Sequence, residues 1–233
     1  MVGLVLAEDQ PLTDTGLDRA VWLRQQGRYQ DSLAILENEI RGKNYKENTK
    51  YRADCWLNMA LDYWNLGEVS RAENAFIYVM ALVGELQDES LRDYASTALK
   101  IIKLYQEGKA KREAKKFNDA DKIFSTAINL SRSKNMDEIA LKCLRQLSFV
   151  LWPQKKYSEI FYLNEKALMI STQINNKYEQ VRSLNQLGAY YFEKRDVLRS
   201  YDYFDRALVL AEKENFLHKE PVIMLNPVSY THL

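Results

Sequence analysis

The chain has 233 residues, in which 33 lysines and arginines almost balance 32 aspartates and glutamates, for a net charge of +1. This balance argues against bulk electrostatic binding to nucleic acid or to an anionic membrane surface. With only 8 glycines and 4 prolines, the composition favours helices over tight turns. No apolar run approaches the roughly 18 residues that a membrane-spanning helix needs.

The N-terminal segment 1–9 has two interpretations. It lacks the basic stretch of a complete signal peptide, which favours a frayed chain end in a cytoplasmic protein. Val5, Leu6 and Ala7 ahead of Glu8 would also suit the end of a truncated signal peptide, and the protein would then be periplasmic or secreted. Under either interpretation we expect residues 1–15 to form an extension outside the fold.

An internal repeat covers most of the chain. Aromatic or β-branched residues open the second helix of five successive helix pairs, at spacings of 40, 48, 40 and 40 residues. These opening residues are Tyr29, Val69, Phe117, Tyr157 and Val197. A small residue lies nine positions before each, namely Ala20, Ala60, Gly108, Ser148 and Gly188. Small residues at that point would let the two helices of each pair cross closely.

The second repeat has the clearest pattern. Its key residues are Trp56, Met59, Ala60, Tyr63, Ala72 and Phe76. This pattern resembles the tetratricopeptide signature W-x2-L-G-x2-Y followed by A-x3-F. The resemblance implies an all-α, right-handed α-solenoid of about five helix-turn-helix repeats over residues 16–220. The 40-residue period exceeds the usual 34 and is similar to the long repeats of bacterial signalling proteins.

Two irregularities interrupt the repeat. The 48-residue spacing adds eight residues around 82–99, and a longer helix is expected to absorb them because eight residues are close to two helical turns. Gly84 and residues 88–90 mark the expected break between helices. In the fourth repeat, Pro153 should end or kink the first helix, because proline removes a backbone donor and clashes with the preceding turn.

Residue types that support catalysis or metal binding are scarce. Cys55 and Cys143 occupy equivalent repeat positions, which favours a place in the core. The histidines are His218 and His232, and no phosphate-binding loop, C-x-x-C or H-E-x-x-H motif occurs. Carboxylates are scattered over helix faces. We therefore predict that the chain is not an enzyme and that it holds no cofactor and no metal.

The resemblance also implies a concave groove lined by the first helix of each pair. Positions counted from the small residue give its side chains: Tyr105, Lys109, Arg112, Lys142, Arg145, Phe149, Trp152, Arg182, Asn185 and Phe192. Basic and aromatic groups predominate among them, which suits an acidic or carboxylate-ended peptide. An ordinary mixed surface is the alternative interpretation.

The C-terminal residues leave the repeat pattern. The register predicts the start of a truncated sixth repeat at 221–226, which Pro227 interrupts. Residues Val228–Leu233 resemble the read-through of a sequencing adapter, so 227–233 are expected to be a non-native tail.

The predicted function is a protein- or peptide-binding scaffold in a larger bacterial signalling or regulatory protein. The alternative is a peptide-sensing domain that controls a fused kinase, protease or transcription factor. The expected partner is a protein or peptide rather than nucleic acid or membrane. If it binds the basic groove, this partner is expected to carry acidic groups.

Overall fold

The computed structural model describes residues 15–214, apart from the side chain of residue 44. Every regular element in this part of the chain is an α-helix, as predicted. The helices are α1 Gly16–Gln25, α2 Tyr29–Glu39, α3 Lys43–Glu47, α4 Thr49–Leu66, α5 Val69–Leu86, α6 Glu89–Glu113, α7 Phe117–Ser133, α8 Asp137–Leu151, α9 Tyr157–Gln173, α10 Lys177–Glu193 and α11 Val197–Lys213. None of these helices is long and apolar enough to cross a membrane. The extension up to residue 14, the sixth-repeat start at 221–226 and the tail at 227–233 lie outside the described residues.

Short turns with a recurring geometry join the helices. A residue with left-handed backbone follows the helix, and in most turns the next amide bonds to the carbonyl five residues earlier. After Arg195, for example, the Asp196 amide donates to the Tyr191 carbonyl at 2.9 Å. This Schellman geometry satisfies carbonyls at the helix end. The left-handed residues are Gly27, Gly67, Gln87, Lys115, Asn135, Lys155, Asn175 and Arg195.

The eight-residue insertion lengthens a single helix. From residue 115 to residue 195 the left-handed turn residues recur every 20 positions, whereas 28 positions separate Gln87 from Lys115. The additional residues extend α6 to 25 residues, as predicted from the closeness of eight residues to two helical turns. The predicted break at Gly84 is wrong, because α5 continues past it and the chain reverses at Gln87, where φ is 51°. Asp88 then caps the start of α6 by accepting a hydrogen bond from the Leu91 amide.

The effect of Pro153 is visible at the end of α8. The helix ends at Leu151, two residues earlier than the equivalent end of α10 at Glu193. The turn keeps its register, since Lys155 takes the same left-handed conformation as Arg195 forty residues later. The prediction that the proline ends this helix early is therefore confirmed.

Small residues allow the two helices of a pair to cross closely. A Cβ atom added to Gly108 would lie 2.8 Å from the Phe124 ring, and one added to Gly188 would lie 2.7 Å from Phe204. Neither contact could be accommodated without moving an aromatic ring of the second helix. Ser148 occupies the same position in the fourth repeat and is fully buried. The small-residue prediction is confirmed, and its cause is an aromatic ring packed against the crossing point.

One apolar core runs between the helices of the first four pairs, and a second buried cluster lies at the fifth pair. The largest fully buried side chains of the core include Trp64, Phe76 and Phe124. Cys55 and Cys143 are buried in the same core, as predicted, and both are free thiols. Burial raises the pKa of each thiol to about 12, which keeps both groups protonated.

The first repeat packs against the fifth. Tyr29, at the start of α2, belongs to a buried cluster with Tyr178, Val181 and Leu184 of α10. The rings of Tyr29 and Tyr178 meet edge-on, with centroids 5.8 Å apart. In a simple stacked array each repeat would contact only its neighbours, and that expectation is wrong here. The array instead curves until its beginning meets its end.

Polar contacts accompany this apolar contact between distant repeats. Tyr29 Oη donates to Asn176 Oδ1 at 3.4 Å, and Asn176 Nδ2 lies 3.3 Å from the same hydroxyl oxygen. Arg24 Nε pairs with the Glu138 carboxylate at 3.2 Å. We refer to the contacts of Arg24 and Tyr29 with Glu138, Asn176 and Tyr178 as the ring closure.

Candidate functional site

A cleft with a volume of about 410 Å³ lies between α8 and α10. It is formed by first helices of their pairs, on the face that the sequence assigned to the groove. Its lining residues are Arg145, Phe149, Trp152, Arg182, Asn185, Gln186 and Ala189. The structure therefore brings together five of the ten predicted site residues, namely Arg145, Phe149, Trp152, Arg182 and Asn185. We refer to this site as the α8–α10 cleft.

Helical periodicity accounts for the lining of the cleft. On α8 and the residue after it, Arg145, Phe149 and Trp152 are spaced by four and three residues, which places them along one helix face. On α10, Arg182 and Ala189 are seven residues apart, which places them on one face of that helix. Phe149 is 40% exposed, so an aromatic ring is available at the surface of the cleft.

The two guanidinium groups that line this cleft share one buried carboxylate. Arg145 Nη1 donates to both oxygens of Glu179, at 2.7 and 2.8 Å. Arg182 Nη1 lies 3.7 Å from Glu179 Oε1. A second Arg182 nitrogen donates to Tyr178 Oη at 2.6 Å, and the guanidinium lies 4.4 Å from the centre of the Tyr178 ring. The cluster therefore contains two positive charges and one negative charge.

Glu179 remains ionised despite its burial. Burial alone would raise the pKa of this carboxyl, but the charges of Arg145 and Arg182 and the hydrogen bonds from Arg145 together hold the pKa below its usual range. A buried carboxylate with good geometry to two cations is stable in its charged form. Glu179 thereby fixes the position of Arg145 beside the cleft.

Lys142 lies beneath the surface rather than on the groove. Its side chain is only 4% exposed. The ammonium donates to the main-chain carbonyls of Trp64 and Asn65, in the last turn of α4. Burial, with a smaller contribution from the Arg145 charge, lowers the pKa of Lys142 to about 7. This predicted site residue therefore joins α8 to α4 and is not presented to a ligand in the groove.

Tyr105 is also buried. Its ring lies 4.9 Å from that of Trp64 and 6.0 Å from that of Phe124, in both cases edge-on. Its hydroxyl accepts a hydrogen bond from Gln146 Nε2 at 3.3 Å. Tyr105 thus packs the interior between α4, α6 and α8.

The three remaining predicted residues lie around the cleft or away from it. The Arg112 guanidinium is 5.9 Å from the centre of the Phe149 ring, which places it at the cleft margin. Lys109 forms an exposed pair with Glu113 at 4.0 Å and lines a separate depression beside the start of α5. Phe192 is 43% exposed and does not line the α8–α10 cleft.

The sequence reasoning missed two acidic residues. Glu179 lies nine residues before Gly188, outside the predicted groove positions, and Glu138 is the second residue of α8. A signal was present for Glu179, because it lies three residues before Arg182 on the same helix and such pairs face each other. The basic character predicted for the groove is reduced by Glu179, whereas Glu138 pairs with Arg24 of the first repeat.

No cluster of three or more histidine, cysteine, aspartate or glutamate side chains in residues 15–214 could hold a metal ion. The titratable groups around the cleft instead interact with one another. The α8–α10 cleft thus presents positive charge and aromatic surface at the same place.

No protein-family model matches this sequence, and a search of curated proteins found no match. Among solved structures, the Bacillus thuringiensis regulator PlcR, determined with the peptide PapR7 and DNA, is similar at 16% identity and a TM-score of 0.49, covering 88% of this chain and 73% of that one. BtubC from P. vanneervenii has 16% identity and a TM-score of 0.43, with coverages of 88% and 82%. A Podosopora anserina putative kinesin light chain with TPR-like repeats has 14% identity and a TM-score of 0.42, with coverages of 86% and 94%.

These similarities are weak, so the fold is established by the molecule's own helix pairs. The 40-residue period, the small residue at each crossing and the stacking of successive pairs are the features of tetratricopeptide repeats. Residues 15–214 fold as an all-α, tetratricopeptide-type solenoid that closes on itself.

Proposed function

We propose that this chain is a protein- or peptide-binding scaffold and that the α8–α10 cleft binds an acidic segment containing an apolar side chain. The observation that carries the proposal is the sharing of Glu179 by Arg145 and Arg182 beside an aromatic-lined cleft. Such a segment would supply the negative charge that the cluster lacks. The scaffold would serve a larger signalling or regulatory protein, as its long repeats suggest.

Charge supports an anionic ligand. Arg145 and Arg182 carry two positive charges against the single charge of Glu179, and Arg112 adds a third guanidinium at the margin. A guanidinium can bind a carboxylate through two parallel hydrogen bonds, which gives directional as well as electrostatic recognition. A ligand carboxylate at the cleft would therefore meet both charge and hydrogen-bond donors.

Apolar surface supports a ligand with a hydrophobic side chain. Phe149, Trp152 and Ala189 line the same cleft as the arginines. A volume of about 410 Å³ lies within the range of ligand sites in proteins. Burial of a ligand's aromatic ring against Phe149 and Trp152 would add binding free energy to that supplied by the charges.

Fluorescence anisotropy can test the proposal with a labelled peptide of sequence Glu-Glu-Phe-Glu-Glu, referred to as the acidic probe. We expect binding that weakens as salt is added, because partly exposed charge pairs are screened. Phe149→Ala and Arg112→Glu should each weaken binding without loss of helix content. Lys46→Glu is the matched control for the second variant, because it makes the same charge change at an exposed site outside the cleft.

Two further probes separate the proposed ligand from other anions. Replacement of the four glutamates of the acidic probe by glutamines should abolish binding if the cleft recognises carboxylates. A single-stranded oligonucleotide should compete poorly, because phosphate charge alone lacks the side chain that the cleft would enclose. Equal binding of the acidic probe to wild type, Phe149→Ala and Arg112→Glu would contradict the proposed site.

A further inference from the structure

One side chain connects the α8–α10 cleft to the ring closure. Arg182 lines the cleft, and its guanidinium both covers the Tyr178 ring at 4.4 Å and donates to the Tyr178 hydroxyl at 2.6 Å. Tyr178 in turn packs edge-on against Tyr29 of the first repeat. Two successive contacts, Arg182 with Tyr178 and Tyr178 with Tyr29, therefore connect the cleft to the ring closure.

The ring closure is a small set of contacts compared with those that hold neighbouring helices together. Its hydrogen bonds between Tyr29 and Asn176 are 3.3 and 3.4 Å long, beyond the usual 2.7–3.2 Å range, and its ion pair joins Arg24 to Glu138 at 3.2 Å. Neighbouring helices, by contrast, pack along their length, with rings such as Phe124 and Phe204 set against the crossing points. Separation at the ring closure would expose Tyr29 and Tyr178 but would leave neighbouring helices packed along their length, so this is where the array can open.

The two arginines of the cleft are held unequally by Glu179. Arg145 makes two short hydrogen bonds to the carboxylate, whereas Arg182 Nη1 lies 3.7 Å from it. A carboxylate that draws on Arg182 would therefore break a longer contact with Glu179 than one that draws on Arg145. Reorientation of Arg182 toward a ligand would remove both its hydrogen bond to Tyr178 and its cover over the ring.

We propose that the closed ring is one of two states and that an anionic ligand in the α8–α10 cleft shifts the chain to an open state by drawing Arg182 away from Tyr178. This inference rests on the proposed function of the cleft. Linkage requires the converse, that opening of the ring increases the affinity of the cleft for the ligand. The ring closure is then a regulatory contact that restrains binding.

The first arm of the test measures the ring without any ligand. Nitroxide labels on Gln30→Cys in α2 and Asp205→Cys in α11 would report the separation of the two ends by double electron–electron resonance. Both positions are exposed, and the native cysteines are buried, so labelling should be selective. We expect one short distance in the parent and a longer population in Tyr29→Ala. Tyr162→Ala is the control, because it removes a tyrosine that is 64% exposed on α9.

The second arm measures coupling with the acidic probe. We expect the probe to lengthen the measured distance in the parent, and Tyr29→Ala to bind it about fivefold or more tightly than the parent. Circular dichroism checks that Tyr29→Ala remains helical. If that variant does not fold, Tyr29→Phe, which removes only the hydroxyl, should give smaller changes in the same directions.

The outcomes separate this inference from the proposed function. Binding of the probe with no change in distance, or with equal affinity for the parent and the Tyr29 variants, would overturn the coupling while the binding function stands. An unchanged distance in both Tyr29 variants would overturn the two-state ring. Failure of the probe to bind any variant would overturn the proposed function and the coupling together. Binding to Tyr29→Ala but not to the parent would support both.

Discussion

Lys142 of α8 places its ammonium on the main-chain carbonyls of Trp64 and Asn65, at the C-terminal end of α4. The last carbonyls of a helix lack partners within it, and the Lys142 nitrogen donates to two of them. The contact joins the second repeat to the fourth. It also removes from the groove a lysine that the sequence placed on its surface.

The position of Lys142 predicts that stability rises with pH on the alkaline side. Its pKa falls to about 7 in the folded chain from 10.5, chiefly through burial, so between these values the unfolded chain binds a proton that the folded chain lacks. The free energy of unfolding should therefore increase as the pH rises from about 7 to 10.5. Urea unfolding over this range would measure the increase, and Lys142→Met should remove it. An equal pH dependence in the variant would assign the effect to other groups.

Asp62 predicts the opposite dependence at lower pH. Burial raises its pKa to about 8 from 3.8, although the Arg24 charge and a hydrogen bond from Ser32 act against the rise. The folded chain thus binds a proton that the unfolded chain lacks between these values, and the free energy of unfolding should fall as the pH rises from 3.8 to about 8. Asp62→Asn resembles the neutral acid and should reduce this fall. If the slopes of parent and variant coincide, Asp62 is charged in the folded protein.

Alanine substitutions should change the stability of the fold differently at glycines in close helix crossings and at a glycine on an open helix surface. Gly188→Ala and Gly108→Ala should destabilise the fold by roughly 1–3 kcal/mol, because the new Cβ would overlap Phe204 or Phe124. Gly84→Ala is the control within α5, since its Cβ would meet no atom within 4 Å. This control should stabilise the helix by up to about 1 kcal/mol, as glycine is a poor helix former. Thermal unfolding measures all three, and similar effects at the three sites would contradict the crossing geometry.

Removal of the Glu179 carboxylate alone should destabilise the fold more than replacement of both Glu179 and Arg145 by apolar residues. Glu179→Gln leaves Arg145 and Arg182 close together without their anion, and the side chain of Glu179 is only 6% exposed. We expect a loss of roughly 3–5 kcal/mol for the single variant, as for other buried pairs with one partner removed. The double variant Glu179→Leu with Arg145→Met should be less destabilised, because the closely paired Arg145 is removed with its carboxylate and only Arg182, at 3.7 Å, loses its anion. Chemical unfolding of both proteins provides the comparison, and a greater loss in the double variant would show that the pair itself stabilises the fold.

The helix pairs of this protein can be predicted from its residues alone. Apolar spacing identified the helices, and the nine-residue interval from Gly188 to Val197 located the crossing and the second helix. The eight extra residues were absorbed by α6 because two helical turns preserve the direction of the apolar face. These features depend on residues within one pair or between adjacent pairs, so local patterns contain the necessary information.

Which side chains remain on the groove depends instead on contacts between distant repeats. The contacts of Tyr29 with Asn176 and of Lys142 with Trp64 span 147 and 78 residues. Both depend on the curvature of the whole array, which is the sum of small rotations between successive pairs and has no signature at any single position. The pairing of Arg145 with Glu179 likewise depends on how α8 faces α10. Resemblance supplied candidate groove positions, but the curvature of the solenoid buried Lys142 beneath that groove and left Phe149 exposed within it.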